Sequence, residues 1–185
     1  MNVKSNIRTS LLSRRLDLSS TELTKKSKFI QSTLINSVLF QRAKIIGCYL
    51  PIKNEVITKN LIECAINGSK IVAVPKVKED MMVFQDFSPT DQLRKNKFGI
   101  LENKGQVVRP NEFDLIICPA LAVDLNGNRI GYGQGYYDRY LLKASNAKFI
   151  ALIFDFQLLD ERVIAEPHDV SMHYLCNENE LTQTK

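Results

Sequence analysis

The chain has no tryptophan, and its four cysteines, Cys48, Cys64, Cys118 and Cys176, are scattered without a C-x-x-C pair. That spacing argues against a disulfide framework or a thiolate metal centre, and the apolar stretches around three of them predict buried free thiols in a reducing cytoplasm. Histidine is nearly absent: His168 and His173 are the only two, five positions apart, which is not a metal-binding helical spacing. No apolar run approaches the roughly 20 residues that cross a bilayer. The opening MNVKSNIRTSLLSRRL lacks both the continuous apolar segment and the small-residue cleavage site of a secretory signal. There are no internal repeats, low-complexity tracts or linkers, so residues 1–185 read as one domain. A net charge of +5 admits nucleic acid, an anionic membrane or a polyanionic small molecule as partner. Yet nothing resembles an RNP motif, a zinc finger or a basic stripe interleaved with aromatics, and an acidic small ligand fits better.

What is present reads as a folded α/β chain. Hydrophobic residues make up 44% and charged residues 24%, which is not the composition of a disordered protein. A compact fold of this length buries about 70% of its unfolded surface. Residues 2–16 read as a helix. Ser19 with Glu22 forms a capping box opening a second helix through about Asn36, with Leu23, Ile30, Leu34 and Val38 near one face. KIIGCYL, 44–50, has the length of a strand and stops at Pro51. Ile57, Leu61, Ala65 and Ile66 recur at helical spacing before Gly68, expected as a left-handed stop. KIVAVPKV and MMVFQDF, with only KED between them, predict a hairpin on the sheet edge, and residues 88–112 are polar and irregular. Further strands are expected at 114–124, 148–155 and 172–178. Strands apolar on both faces, alternating with helices, predict a mostly parallel central sheet covered on both sides.

The densest local pattern is GNRIGYGQGYYDRYL, 127–141. It follows the 114–124 strand and precedes a helix expected to start near Tyr136. In open α/β sheets that turn is where ligands bind. Gly131, Gly133 and Gly135 permit positive φ, so successive N–H groups can face one concavity and, with the helix start, hold an anion. The G-x-G-x-G spacing satisfies neither the dinucleotide fingerprint nor the Walker A sequence. Arg129 can pair with phosphate oxygens, whereas Asp138 would repel them unless a divalent cation lay between; Mg²⁺ takes carboxylates, phosphate oxygens and waters together. The alternative is that Asp138 only complements the helix dipole from the first turn. Asp169, in AEPHDV, and Asp155 are the candidates for a second carboxylate.

Over CPALAVDLNGNRIGYGQGYYDRYL the chain resembles the 5-formyltetrahydrofolate cyclo-ligase family, also called methenyltetrahydrofolate synthetase. It matches without a gap the family's long pattern of a proline-containing strand end, an aspartate and G-x-R-[LI]-G-x-G-x-G-Y-Y-D. The resemblance runs over nearly the whole chain. It implies a three-layer α/β/α sandwich like that of ribose-phosphate isomerase and coenzyme A transferases. It implies ATP-dependent conversion of 5-formyltetrahydrofolate to 5,10-methenyltetrahydrofolate, giving ADP and phosphate. Lys4 and Arg8 match residues that contact ATP, together with Arg129, Ile130, Gly131, Tyr132, Gly133, Gln134, Gly135, Tyr136 and Tyr137. Tyr132 and Gln134 are expected to serve through backbone more than side chain. Arg129 and Asp138 take the catalytic roles, and Asp138 with Asp169 holds Mg²⁺. Leu50, Glu55, Phe98 and Tyr137 line the folate site. Asn103 stands where proline is usual after F-G-I-x-E. Arg94, Lys95 and Lys97 are candidates for drawing in a polyglutamate tail. The implied partners are the folate, polyglutamylated or not, and ATP, with no nucleic acid or membrane, for a monomer in the cytoplasm. Two other readings stay open: a kinase or ligase acting on another small acid, and a non-catalytic nucleotide-binding module of the same fold.

Overall fold

The computed structural model describes residues 3–78, 81–88, 94–95, 101–102 and 105–185. Three helices come first, α1 (Val3–Leu16), α2 (Ser20–Ile35) and α3 (Val38–Arg42). They are followed by β1 (Ile45–Cys48), α4 (Lys59–Asn67), β2 (Ile71–Lys78), β3 (Met81–Asp86), β4 (Arg94–Lys95), β5 (Leu101–Glu102) and β6 (Val107–Val108). The second half runs β7 (Leu115–Pro119), β8 (Ala122–Asp124), β9 (Arg129–Ile130), α5 (Tyr136–Leu141), β10 (Lys148–Leu152), β11 (Leu158–Leu159), β12 (Tyr174–Cys176) and β13 (Leu181–Gln183). Eight strands form the central sheet in the order β13-β12-β10-β7-β1-β2-β3-β6. The five from β12 to β2 run parallel, and β13, β3 and β6 close the edges antiparallel.

A parallel sheet is buried on both faces, and β7 shows why its sequence is an unbroken apolar run. Leu115 and Ile117 point into a core shared with Ile30 and Leu34 of α2, Phe40 of α3 and Leu61 of α4. Ile116 and Cys118 point the other way, against Tyr140 and Leu141 of α5. The result is the expected three-layer α/β/α arrangement. Cys48, Cys118 and Cys176 are buried, Cys64 is half-buried, and all four are free. No described helix is long and apolar enough to cross a membrane.

The second helix carries its predicted capping box, with Glu22 N–H donating to Ser19 Oγ and Ser19 N–H to Glu22 Oε2. It does not reach Val38. Ser37 accepts from Phe40 N–H and opens α3, because serine and asparagine favour caps over helix interiors, and Val38 is left 63% exposed. Ile57 lies before α4, whose cap is Thr58. Gly68 is not the left-handed residue ending α4: its φ is −83°, and Ser69, at φ 59°, takes that role. Ser69 N–H donates to Ile66 O and Lys70 N–H to Ala65 O, the paired bonds of a Schellman ending one residue later than expected.

The 114–124 stretch is two strands rather than one. Pro119 brings no N–H to the ladder, so β7 ends there and β8 turns into a separate three-stranded sheet, β11-β8-β9, on which α1 packs through Leu11. The buried Asp124 carboxylate ties the next turn, accepting from Asn126 N–H, Asn128 N–H, Asn128 Nδ2 and Val163 N–H at 2.8–2.9 Å. Gly127 sits in that turn at φ 81°, and a Cβ there would lie 2.2 Å from Met172 O. Gly127→Ala is therefore expected to cost at least about 2 kcal/mol from left-handed strain and overpacking. That corresponds to a Tm lowered by roughly 4–8 °C in a chain of this size. Thermal unfolding followed by circular dichroism checks it, and an unchanged Tm would show that the backbone at Met172 yields freely.

Candidate active site

The glycine loop after β9 is built against α1. Arg8 Nε donates to Gly131 O at 2.9 Å. Gly133 and Gly135 take φ of 92° and 64°, conformations that oppose any side chain. Each loop glycine also faces a guanidinium. A Cβ at Gly131 would lie 2.6 Å from Arg129 Nη1, one at Gly135 2.9 Å from Arg139 Nη1, and one at Gly133 3.6 Å from the guanidinium carbon of Arg8. Arg139 Nη1 donates to Gln134 O and its guanidinium lies over the Tyr136 ring. Ile130 is buried with Leu11. The helix expected to add its dipole is only six residues long, so its field is small; the arginines, not the helix, make this loop attractive to an anion.

At the loop's end Arg129 Nη2 contacts Asp138 Oδ1 at 2.9 Å, with the two side chains 5% and 15% exposed. Arg129 Nε and the Tyr137 hydroxyl are both buried with no hydrogen-bond partner, and the Arg129 guanidinium lies 5.6 Å from the Tyr137 ring centre. Burial pushes the Tyr137 hydroxyl well above its usual pKa, so it keeps its proton. An unsatisfied buried donor costs about 1–3 kcal/mol. Two of them in one corner leave hydrogen-bonding capacity that a polar ligand or a water would satisfy.

Asp138 Oδ1 also accepts from Val170 N–H at 3.3 Å, so the backbone just after Asp169 runs past Asp138. Asp169 Oδ2 contacts Lys4 Nζ at 2.9 Å and accepts from Glu166 N–H at 2.8 Å, while Lys4 also reaches Glu166 Oε1 at 3.2 Å. Burial acts to raise Asp169, but the Glu166 N–H and Lys4 outweigh it and hold the acid below the usual aspartate value. Lys4 is correspondingly held above the lysine value, its two carboxylate partners outweighing burial. His168 is exposed and lies near Glu166 rather than against the loop. Among the described residues no group of three or more His, Cys, Asp or Glu could hold a metal by itself. Two carboxylates completed by phosphate oxygens and water are a donor set that suits Mg²⁺, so these residues fit a metal that arrives with a nucleotide.

On the other side of the loop Glu55 is 4% exposed. Its Oε2 accepts from Ile52 N–H at 2.9 Å and its Oε1 from the Tyr132 hydroxyl at 3.1 Å. Burial raises its pKa, opposed by the Ile52 N–H, the charge of Arg15 and the Tyr132 hydroxyl. Tyr132 thus contributes its side chain and not only its backbone, because burial forces its hydroxyl to find partners. Its second partner, Arg15, was not singled out from the sequence. The available signal was helical: Arg8, Leu11 and Arg15 fall on one face of α1, and Leu11 is the buried one of that face's apolar residues. Leu50 is half-buried against the same core as Tyr49. Phe98, Lys97 and Asn103 lie outside the described residues, as do the side chains of Arg94 and Lys95.

The model of the 5-formyltetrahydrofolate cyclo-ligase family matches residues 1–178. The chain belongs to that family. The 5-formyltetrahydrofolate cyclo-ligase of Mycolicibacterium smegmatis is 31% identical over 182 residues, 93% of this chain and 92% of the relative. That of Haemophilus influenzae is 29% identical over 160 residues, 83% of this chain and 86% of the relative. The NMR structure of Aquifex aeolicus 5,10-methenyltetrahydrofolate synthetase superposes with a TM-score of 0.88 at 31% identity, covering 98% of this chain and 93% of that one. The Mycoplasma pneumoniae synthetase gives 0.80 at 26%, covering 96% and 100%. The α/β/α architecture of this cyclo-ligase is that of these synthetases.

The Lys4–Asp169 contact has a defined pH window. The lowered Asp169 contributes stability above the usual aspartate value and loses it as pH falls through the depressed one. The raised Lys4 contributes below the usual lysine value and loses it as pH rises through the elevated one. Lys4→Met is expected to lower Tm at neutral pH by roughly 1–4 °C, from a contact worth about 0.5–1 kcal/mol. The difference should vanish once Asp169 is protonated, and paired melting curves across pH test this.

Proposed function

We propose that this cyclo-ligase converts 5-formyltetrahydrofolate to 5,10-methenyltetrahydrofolate with ATP and Mg²⁺, releasing ADP and phosphate. The observation that carries the reading is the loop of three glycines faced by three guanidiniums, with two cation-paired carboxylates at its end. Arg129, Lys4, Arg8 and the loop amides from Ile130 to Tyr137 would hold the triphosphate. Leu50, Glu55, Phe98 and Tyr137 would hold the folate. Asp138 and Asp169 would hold Mg²⁺, which supplies positive charge beside the phosphate oxygens.

The pairing in the free site explains why nucleotide and metal enter together. Arg129 covers Asp138, and Lys4 covers Asp169. An anion alone would take the cations and strand two half-buried carboxylates, whereas metal with nucleotide gives every charge a new partner. In the reaction the formyl oxygen attacks the γ-phosphorus and the bond to ADP breaks. N10 then adds to the activated formyl carbon, its proton is released, and phosphate departs with the former formyl oxygen. The protein's share is alignment and charge neutralisation. Three of the four thiols keep their protons, because burial pushes Cys48, Cys118 and Cys176 up to about 12. The free thiols support a cytoplasmic setting.

Purified protein with 5-formyltetrahydrofolate and Mg-ATP is expected to develop the near-ultraviolet absorbance of the methenyl product, with no change when ATP is omitted. Asp138→Asn keeps the bond to Arg129 and should fold, yet lose about 10²–10³ in kcat. Wild-type turnover in this variant would refute the metal role. Arg129→Ala should lose turnover and also stability, because it strands a largely buried carboxylate. The raised Glu55 places the acid limb of kcat/KM for the folate above the usual glutamate value, if the ionised carboxylate accepts a pterin N–H. A limb at or below that value counts against its contact with the folate.

A further inference from the structure

Among the described residues, the largest fully buried side chain outside the phosphate corner is a charged one. Arg15 is 1% exposed and reaches three segments: Nε donates to Lys53 O at 2.9 Å, Nη1 to Ala120 O at 3.2 Å, and Nη2 to the Tyr132 hydroxyl. That hydroxyl in turn donates to Glu55 Oε1. Arginine and glutamate therefore share the tyrosine oxygen, one donating and the other accepting, which satisfies a neutral phenol. Burial holds the Tyr132 hydroxyl well above its usual pKa, so the proton given to Glu55 is not lost. Lys53 Nζ lies 5.1 Å and the Arg15 guanidinium 5.7 Å from the ring centre, so the ring itself is flanked by cations.

The turn that carries Glu55 is strained and held from the same helix. Lys53 and Asn54 are consecutive non-glycine residues at φ 48° and 56°, a conformation that persists only where its surroundings impose it. Arg15 imposes it at Lys53 O. Asn54 Nδ2 imposes it by donating to the carbonyls of Arg15, Leu16 and Leu18 at the end of α1. Tyr132 belongs to the other side of the site, between Gly131 and Gly133. The shared hydroxyl is a direct side-chain link between the glycine loop and the Glu55 turn.

We propose that Arg15 and Tyr132 are positioning residues of the cyclo-ligase: through the shared hydroxyl they set the Glu55 carboxylate relative to the glycine loop, so that filling either side strengthens binding at the other. The inference rests on the assignment of Glu55 to the folate and of the loop to ATP. Glu55 spends two of its lone-pair sites on Ile52 N–H and Tyr132 and keeps others for a pterin N–H. A folate fixed on Glu55 holds Tyr132, and with it the glycine loop, in place before the nucleotide arrives. The ordering cost is then met once for both ligands, and the coupling is reciprocal.

The test is calorimetric binding of a non-hydrolysable ATP analogue with Mg²⁺, in the absence and presence of saturating 5-formyltetrahydrofolate. Wild-type protein is expected to bind the analogue about 5- to 150-fold more tightly when folate is present. Tyr132→Phe keeps the ring and its cations and removes only the hydroxyl; the enhancement should fall to within about twofold of unity. Its KM for folate should rise more than its kcat falls. Arg15→Lys, which keeps the charge but not the fork, should lose the enhancement as well. Retention of the wild-type enhancement in Tyr132→Phe, with or without a lower Tm, overturns the proposal, as does a wild-type protein that binds both ligands without enhancement. In those cases methenyl product still forms and the cyclo-ligase assignment stands. Absence of folate binding or of product from wild-type protein would instead overturn the assignment itself.

Discussion

Helix α1 carries Lys4, Arg8 and Arg15 to three different parts of the chain, and each contact satisfies a group that burial would otherwise penalise. Lys4 meets Asp169, Arg8 meets the carbonyl of Gly131, and Arg15 meets two carbonyls and the Tyr132 hydroxyl. A charge withdrawn from water without a partner costs several kcal/mol, so these pairings constrain where the helix can lie. The apolar contact of Leu11 with Ala122 and Ile130 then places α1 on the small sheet that leads into the glycine loop. The site is assembled by one helix whose single buried face carries both Leu11, which meets the small sheet, and the cations, which meet carboxylates and carbonyls.

The same pairing gives the site its chemical character. Its two aspartates are matched by arginine and lysine, while Arg8 and Arg139 bring further positive charge against the glycine loop. What stays unsatisfied is small and directional: one N–H of Arg129 and the hydroxyl of Tyr137. A site with paired carboxylates and two idle hydrogen-bonding groups is organised to exchange partners rather than to create them. Phosphoryl transfer, which asks a protein for alignment and charge stabilisation more than covalent chemistry, suits such a site.

Much of the architecture was legible in local pattern. The capping box at Ser19, the apolar run of β7 and the β2–β3 hairpin follow from short-range physics that any segment obeys wherever it lies. The misreadings occurred where a longer-range choice decided the outcome. The 114–124 run looked continuous because both its halves are buried, and only the missing N–H of Pro119 marked where the chain changes sheets. Val38 fitted the periodicity of α2 until Ser37 restarted the helix.

By itself the sequence determined that 127–141 is a cationic, glycine-rich turn between strand and helix, because glycine spacing and adjacent arginines act over a few residues. It also determined the family, through a pattern long enough to be specific. Only the tertiary structure decided which charge meets which. Lys4 and Asp169 are separated by 165 residues, and Arg15 and Tyr132 by 117. Contacts at such separations depend on the order of strands in the sheet and on where α1 docks, and no local periodicity encodes either. For that reason Arg15, silent as one of two adjacent arginines near a helix end, emerges in the folded chain as the buried group joining both sides of the site.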